Sequence, residues 1–230
     1  SSNILFVLGM ILFFVGFSFK VAAVPFHMWV PDVYQGSATT VTGLMSTVGK
    51  AAAFSVFIIM LSAVVSYGAP NFFKSYFAVI SALSMVIGSV IAISQDNLKR
   101  MLAYSSISHA GYMIIGLSAG NKYSIAGIIF YLAAYAFMNI GAFSVISVIE
   151  GNDDSRTGIK SYAGLQSKSP FLAAMISLFM FALAGIPPLA GFFGKYYVFF
   201  GAIQADLTWL AIVGVLSSVI SVYFYIRVVV

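Results

Sequence analysis

Residues 72–94 read FFKSYFAVISALSMVIGSVIAIS, a run in which Lys74 is the only charged side chain. A helix needs about 20 mostly apolar residues to cross the hydrocarbon core of a bilayer, and this run is long enough. Strands of a membrane β-barrel alternate apolar and polar residues, whereas Phe77-Ala78-Val79-Ile80 does not alternate. The stretch therefore predicts a transmembrane α-helix.

The composition extends this prediction to the whole chain of 230 residues. Hydrophobic residues make up 61% of the sequence and charged residues only 7%, against about 25% charged in a soluble domain. Eleven Lys and Arg with six Asp and Glu are too few to cover a soluble surface, which excludes soluble enzymes and disordered tails. The net charge of +5 comes from scattered basic residues, so it does not indicate a nucleic-acid partner. We expect a protein embedded in a lipid bilayer.

Several features that accompany cofactors are absent from the sequence. There is no cysteine, hence no disulfide, thiolate metal site or cysteine-ligated iron–sulfur cluster. There is also no nucleotide-binding glycine motif, no pair of metal-ligand histidines and no nucleophilic serine motif. We expect no cofactor and no metal in this chain. It begins Ser1-Ser2-Asn3 without an initiator Met or a signal peptide, and we expect it to be part of a longer protein.

Turn signals and charged clusters divide the chain into seven predicted transmembrane helices. Gly68-Ala69-Pro70-Asn71 indicates a turn, and Gln95-Asp96-Asn97 a helix end. The predicted spans are about 3–29, 38–66, 72–94, 98–119, 123–150, 170–200 and 207–230. The predicted fold class is all-α, a polytopic transmembrane helix bundle of about seven spans, two of them broken helices.

Basic residues in the loops predict the orientation, because cytoplasmic loops carry an excess of Lys and Arg. The loops on one side hold Lys74 and Lys122. Those on the other side hold Lys99, Arg100, Arg156, Lys160, Lys168 and Arg227, together with Asp153 and Asp154. We therefore place the second set in the cytoplasm and the amino terminus outside. Glu150 ends the fifth helix on the cytoplasmic side, so we expect it at the surface.

Three lysines, Lys20, Lys50 and Lys195, lie within apolar sequence. A lysine at the bilayer centre costs about 2.5–3.5 kcal/mol or more, unless its side chain reaches the interface from a helix end. Removing a lysine from water disfavours its charged form. Such a side chain can accept and release a proton, as a proton path requires.

Two of these lysines lie beside helix-breaking residues. Pro25 follows Lys20, while Pro187, Pro188 and Gly191 precede Lys195. Proline removes an intrahelical hydrogen bond, and irregular backbone at membrane depth is tolerated only where protein or a cavity satisfies it. A simple kink is the alternative for one proline. Two broken helices that each carry a lysine favour the ion site of a transporter.

Histidines are the next candidates. His27 follows Lys20 by seven residues, which puts both on one face if the helix continues through Pro25. His109 shares a face with Ser105, Ser108 and Tyr112 by i+3 and i+4 spacing. A similar polar stripe, Tyr131, Tyr135 and Asn139, lies on the fifth helix. These side chains form either a proton relay or interhelical hydrogen bonds. Asp32 either caps a helix or compensates a lysine.

Three long motifs carry a family resemblance. Residues 19–36, FKVAAVPFHMWVPDVYQG, resemble the signature of the antiporter-like membrane subunits of respiratory complex I. The PDVYQG ending is similar to the subunit N family of NADH-quinone oxidoreductase (NADH dehydrogenase subunit 2). Residues 97–112, NLKRMLAYSSISHAGY, and 183–195, LAGIPPLAGFFGK, match two further motifs of that family.

The resemblance implies an antiporter-like fold of about fourteen helices with two inverted five-helix repeats. Residues 1–66 would be the last two helices of the first repeat. Residues 72–230 would be the whole second repeat, with a cytoplasmic loop at 151–169. Lys20 then matches the broken-helix lysine of the first half-channel, Lys50 the lysine that links the half-channels, and Lys195 the exit lysine. The family also pairs its first-half lysine with a glutamate on an earlier helix that this sequence lacks, so the segment should not pump protons alone.

The function that the resemblance implies is a proton-translocating membrane subunit of NADH:quinone oxidoreductase. Flavin, iron–sulfur clusters and quinone are expected in partner subunits, and the partners are other membrane subunits of complex I and the lipid bilayer. The expected location is the bacterial inner membrane or an equivalent energy-coupling membrane. A redox-independent sodium/proton antiporter, a related hydrogenase or plastoquinone-linked complex, and a structural spacer whose lysines pair with acids remain as alternatives.

Overall fold

The structure, a computed structural model, describes residues 4–66, 72–151 and 157–230, and the regular elements in these ranges are all helices. The elements are α1 (Ile4–Val21), α2 (Trp29–Gly36), α3 (Thr39–Ser66), α4 (Phe72–Ile93), α5 (Leu98–Ala119), α6 (Lys122–Glu150), a 3₁₀ helix (Ile159–Tyr162), α7 (Leu165–Lys168), α8 (Pro170–Ala184), α9 (Ala190–Ile203) and α10 (Thr208–Val229). The all-α prediction is confirmed. Residues 1–3, the predicted turn at 68–71, and Asp153, Asp154 and Arg156 lie outside the described ranges.

The helices follow the seven predicted spans, except that the first span continues beyond its predicted end at residue 29 as α2. α3, α4, α5, α6 and α10 each form one span, while α1 with α2 and α8 with α9 are the two broken ones. Among the described residues, α1, α3, α4, α6 and α10 are long and apolar enough to cross a membrane by themselves. α8 and α9 fall short because the break divides the span. α5 falls short because serines, tyrosines and a histidine interrupt its apolar sequence.

α5 lies at the centre of the bundle. All but a few of its residues are buried, and it packs against α2, α4, α6, α9 and α10. The contact with α4 is close because Ser81, Ser84 and Ser89 on α4 are small and fully buried. The Ser81 hydroxyl donates to the carbonyl of Gly111 at 2.8 Å. A helix surrounded by protein can carry polar side chains at membrane depth, and this central position makes α5 the natural carrier of a polar site.

Candidate functional site

The first helix break separates α1 from α2. α1 ends at Val21, and Ala22 has a positive φ of 62°. The Val24–Pro25 peptide is cis. The backbone N–H of Ala23 donates to the carbonyl of Ser18 at 2.8 Å, and that of Val24 donates to the hydroxyl of Ser84 at 2.9 Å. Helix α4 thus satisfies part of the irregular backbone, as membrane depth requires.

The second break separates α8 from α9. Gly185 has a φ of +85°, and the Pro187–Pro188 peptide is cis. The two half-helices approach so closely at Gly191 that a Cβ atom there would lie 1.9 Å from the carbonyl oxygen of Ala182. Both breaks lie where Pro25, Pro187, Pro188 and Gly191 predict them.

Lys195 on α9 points back into the second break. Its side chain is 4% exposed, and Nζ donates to the carbonyl of Ala184 at 2.8 Å, to that of Leu183 at 3.4 Å and to the Ser218 hydroxyl at 2.8 Å. The two carbonyls end α8, so the ammonium lies at the negative end of that helix dipole. The break therefore supplies the acceptors that hold a buried lysine.

Lys50 occupies a comparable buried position in α3. Its side chain is 3% exposed, and Nζ donates to both the carbonyl and the hydroxyl oxygen of Ser106 on α5. The Tyr34 hydroxyl lies against the hydroxyls of Ser106 and Ser46. Asn139 on α6 donates to the Ser46 hydroxyl at 2.6 Å and to that of Tyr135 at 3.1 Å. The surroundings of Lys50 are hydroxyl-rich and enclosed by protein.

Neither lysine has a carboxylate partner in the described part of the chain. The ion pairs found there join Lys99 with Glu150 and Arg100 with Asp32. Neutral oxygens alone hold the ammonium groups of Lys50 and Lys195.

His109 lies between these lysines with both ring nitrogens engaged. Nδ1 is 2.6 Å from the Tyr131 hydroxyl and Nε2 is 2.9 Å from the Tyr225 hydroxyl. Tyr225 also shares a hydrogen bond with Ser105. The predicted polar stripes on the fourth and fifth spans therefore contact each other at His109, and α10 contributes Tyr225 to the same site.

A row of aromatic rings connects the three titratable groups. Lys50 Nζ lies over the Tyr135 ring at 5.8 Å from its centroid, and that ring is 5.1 Å from the His109 ring. On the other side, Lys195 Nζ lies over the Tyr112 ring at 5.0 Å, and Tyr112 is 5.7 Å from His109. The order Lys50, Tyr135, His109, Tyr112, Lys195 crosses the bundle.

Lys20 and His27 flank the first helix break, and their side chains differ in burial. Lys20, in the last turn of α1, is exposed and makes no hydrogen bond or ion pair with other described residues. α1 packs on α3 and α4 through the face that holds Phe14 and Phe17, and Lys20 lies off that face. His27 is buried at 7% exposure, and its Nδ1 has no partner among the described residues. Because the helix ends at Val21, the two side chains do not share a face.

The charged residues at the start of α5 also differ from the prediction. Lys99 is buried and pairs with Glu150 at 3.4 Å. Thr39, at the start of α3, donates to the same carboxylate. The prediction that Glu150 lies at the surface is wrong, because this carboxylate joins the ends of three helices and is 4% exposed. Asp32 pairs with Arg100 at 2.6 Å at an exposed site, so it compensates an arginine rather than a lysine.

The sequence patterns did not identify several residues of the site. The most important of these are Tyr225 and Ser218. Ser218, Ser221 and Tyr225 follow i+3 and i+4 spacing on α10, the same signal that identified the stripe around His109. On α3, Thr42, Ser46 and Lys50 are all buried at i+4 spacing. The helical spacing of both polar stripes can be detected in the sequence, but nothing in the sequence indicates which other helix each stripe faces.

A cavity of about 360 Å³ lies between α9 and α10. Lys195 and Ser218 contribute to its wall, together with the aromatic residues Phe192, Tyr196 and Phe199. Among the described residues, no three His, Cys, Asp or Glu side chains are grouped as metal ligands. The chemistry that the site offers is therefore proton exchange among lysine, histidine and hydroxyl groups.

Two broken spans and buried lysines define the chain as a polytopic α-helical membrane protein with the discontinuous helices of secondary transporters. The chain belongs to the family described as "NADH:quinone oxidoreductase/Mrp antiporter, TM", whose model matches residues 1–221. This confirms the resemblance, and the protein is an integral membrane protein of the bacterial inner membrane or an equivalent energy-coupling membrane.

Relatives and solved structures agree with the family. NADH-quinone oxidoreductase subunit N of Salinibacter ruber is 51% identical over 100% of this chain and 46% of its own length. A chain of respiratory complex I from Thermus thermophilus is 38% identical with a TM-score of 0.80, over 94% of this chain and 47% of that one. A chain of the Mrp complex from Dietzia sp. is 21% identical with a TM-score of 0.86, over 99% of this chain and 42% of that one, a likeness of fold alone. The chain spans about half the length of the curated relatives it matches.

Proposed function

We propose that this chain moves protons through the membrane as part of an NADH:quinone oxidoreductase. The observation that carries the proposal is the buried row from Lys50 through His109 to Lys195. Its two lysines are held by neutral oxygens and have no carboxylate partner among the described residues. A static ion pair would trap the proton on the lysine, whereas this arrangement leaves each lysine free to give it up.

The proposed mechanism passes a proton along this row. Redox chemistry in other subunits changes the protonation of the lysines in sequence, Lys20 exchanges its proton with Lys50, and Lys195 releases it. His109 contacts hydroxyl groups on both sides, so it can relay a proton between the lysines. The cavity beside Lys195 provides space for release on that side of the bundle. His27, with an unpartnered buried nitrogen, is a second relay candidate near the first break.

The proposed organisation follows the resemblance. Residues 1–66 are the last two helices of one inverted repeat, residues 72–230 are the second repeat, and residues 151–169 form a cytoplasmic loop. Flavin, iron–sulfur clusters and quinone belong to partner subunits, and this chain contributes proton translocation without a redox centre. The name of the Salinibacter ruber relative and the complex I structure support this assignment.

A subunit of a redox-independent sodium/proton antiporter is the second candidate, since the Mrp complex shares the fold. Copurification discriminates between the two. The full-length subunit, isolated from its native membrane, should carry flavin and iron–sulfur subunits with it. Isolation with antiporter subunits alone would favour the second candidate.

Lysine variants in the assembled complex test the mechanism. We expect Lys20→Ala and Lys50→Ala to abolish proton pumping coupled to NADH oxidation, while the complex still assembles. A positioned acid or base contributes about 10²–10⁴-fold to a proton-transfer step. Lys122→Ala is the matched control, because Lys122 is exposed at the start of α6. Normal pumping in both test variants would refute the lysine pathway and favour a structural spacer.

A further inference from the structure

Asn139 is a buried amide at the contact between α6 and α3, and the proposed proton path assigns it no role. The residue is 1% exposed. Its Nδ2 donates to the Ser46 hydroxyl on α3 at 2.6 Å and to the Tyr135 hydroxyl on its own helix at 3.1 Å. The two N–H groups of one amide thus connect a hydroxyl of α3 with a hydroxyl of α6.

Ser46 determines which way the amide faces. The Ser46 hydroxyl donates to the carbonyl of Gly43 at 2.8 Å, and a carbonyl oxygen can only accept. A serine hydroxyl has one proton to donate, so the Ser46 oxygen acts as an acceptor towards Asn139. The amide nitrogen therefore faces Ser46, and this series of hydrogen bonds ends on the Gly43 carbonyl. The second N–H of the same nitrogen donates to Tyr135.

This second hydrogen bond holds Tyr135 at a specific place in the aromatic row. The Tyr135 ring centroid is 5.8 Å from Lys50 Nζ and 5.1 Å from the His109 ring. Because the Tyr135 oxygen accepts from Asn139, the Tyr135 proton points away from the amide, on the side where the Ser106 hydroxyl lies. The attraction between an ammonium group and an aromatic face extends to about 6 Å from the centroid. A small rotation of the Tyr135 side chain would therefore separate it from Lys50.

The same amide ties Tyr135 to the helix that carries Lys50. Ser46 and Lys50 are four residues apart on α3, and residues at this spacing lie on one face, one above the other. Ser46 is fully buried and Lys50 is 3% exposed. A shift of α3 against α6 at Lys50 would thus stretch the hydrogen bond between Ser46 and Asn139.

We propose that Asn139 is a positioning residue, which holds the Tyr135 ring between Lys50 and His109. The amide exchanges no proton itself and acts through Tyr135, which contacts both titratable groups. The hydrogen bonds follow from the geometry alone, whereas their importance for pumping rests on the proposed function.

Carbon-13 NMR of complex that contains the full-length subunit, with tyrosine labelled at Cζ, tests the hydrogen bond directly. The Cζ signal responds to hydrogen bonds at the phenol oxygen, and the signal of Tyr135 is identified by its loss in Tyr135→Phe. Asn139→Asp keeps the shape of the side chain but removes both N–H donors, so we expect the Tyr135 signal to move. Ser144→Ala is the control, because the Ser144 hydroxyl donates within α6 to the carbonyl of Ile140, and its spectrum should match the parent. An unchanged Tyr135 signal in Asn139→Asp, as a role in packing alone predicts, would overturn the proposal.

Pumping by the assembled complex tests whether Asn139 acts through Tyr135. We expect Asn139→Leu to slow pumping by about 2- to 13-fold for each hydrogen bond that it removes, and Tyr135→Phe to slow it as well. Substitutions of two residues that act together are not additive in free energy, so the double variant should pump about as fast as the slower single variant. Single effects that multiply in the double variant would contradict the proposal. If Lys50→Ala pumps normally, the proposed function fails, while the Tyr135 signal still decides whether Asn139 holds that side chain.

Discussion

Lys195 Nζ lies 2.8 Å from the carbonyl oxygen of Ala184, the last residue of α8. A side chain on one half of the broken helix therefore satisfies the backbone of the other half. The last carbonyls of a helix have no partner within the helix, and here the break directs them at an ammonium group. The break and the buried lysine are thus one feature, and each explains why the other is tolerated in a membrane.

The close approach of the two half-helices should be sensitive to Gly191. In Gly191→Ala the new Cβ would lie 1.9 Å from the Ala182 oxygen, so α8 and α9 must move apart. Overpacking of this kind costs about 1–3 kcal/mol, and we expect a lower midpoint of thermal unfolding together with reduced pumping. Gly16→Ala is the control, because its Cβ meets nothing within 4 Å. Equal stability of the two variants would show that the break relaxes without cost.

The hydroxyl group beside Lys50 should tune proton transfer without being essential to it. Ser106→Ala removes one of the two oxygens that accept from Lys50 Nζ and leaves the backbone carbonyl in place. A hydrogen bond to a charged group contributes about 1.5–3 kcal/mol, and about 1.4 kcal/mol is a tenfold change in rate. We expect pumping to slow by about 10- to 150-fold, an effect smaller than that of Lys50→Ala. If Ser106→Ala abolished pumping as completely as Lys50→Ala, the Ser106 hydroxyl itself would conduct the proton.

The buried pair of Lys99 and Glu150 should be important for folding rather than for proton transfer. Removing one partner of a buried ion pair costs about 3–5 kcal/mol, so Glu150→Gln should reduce the amount of assembled complex. Replacing both residues, as Lys99→Met with Glu150→Leu, should restore much of it. Asp32→Asn at the exposed pair with Arg100 is the control, with an expected cost below about 1 kcal/mol. A folded, abundant Glu150→Gln complex would contradict this assignment.

The sequence predicts those structural features that depend on residues close together along the chain. Span lengths follow from apolar runs such as residues 72–94, and the breaks follow from Pro25 and the pair Pro187-Pro188. The stripe around His109 follows from helical periodicity. Each of these signals is complete within one span.

Contacts between distant spans could not be predicted in the same way. Lys99 and Glu150 meet although 51 positions separate them, and no local pattern around Glu150 indicates that its carboxylate is buried. Lys20 shows the same limit, since apolar neighbours do not reveal that the face by which α1 packs on the described helices leaves this side chain exposed. Tyr225 was missed because its importance depends on which helix α10 packs against.

Proton release through Lys195 is tested by the number of protons pumped per NADH oxidised. The measurement uses complex that carries Lys195→Ala in its full-length subunit and is reconstituted in sealed vesicles. We expect NADH oxidation and assembly to persist while this number falls, and Lys122→Ala to leave it unchanged. An unaltered number in Lys195→Ala would contradict the claim that protons leave this subunit through Lys195.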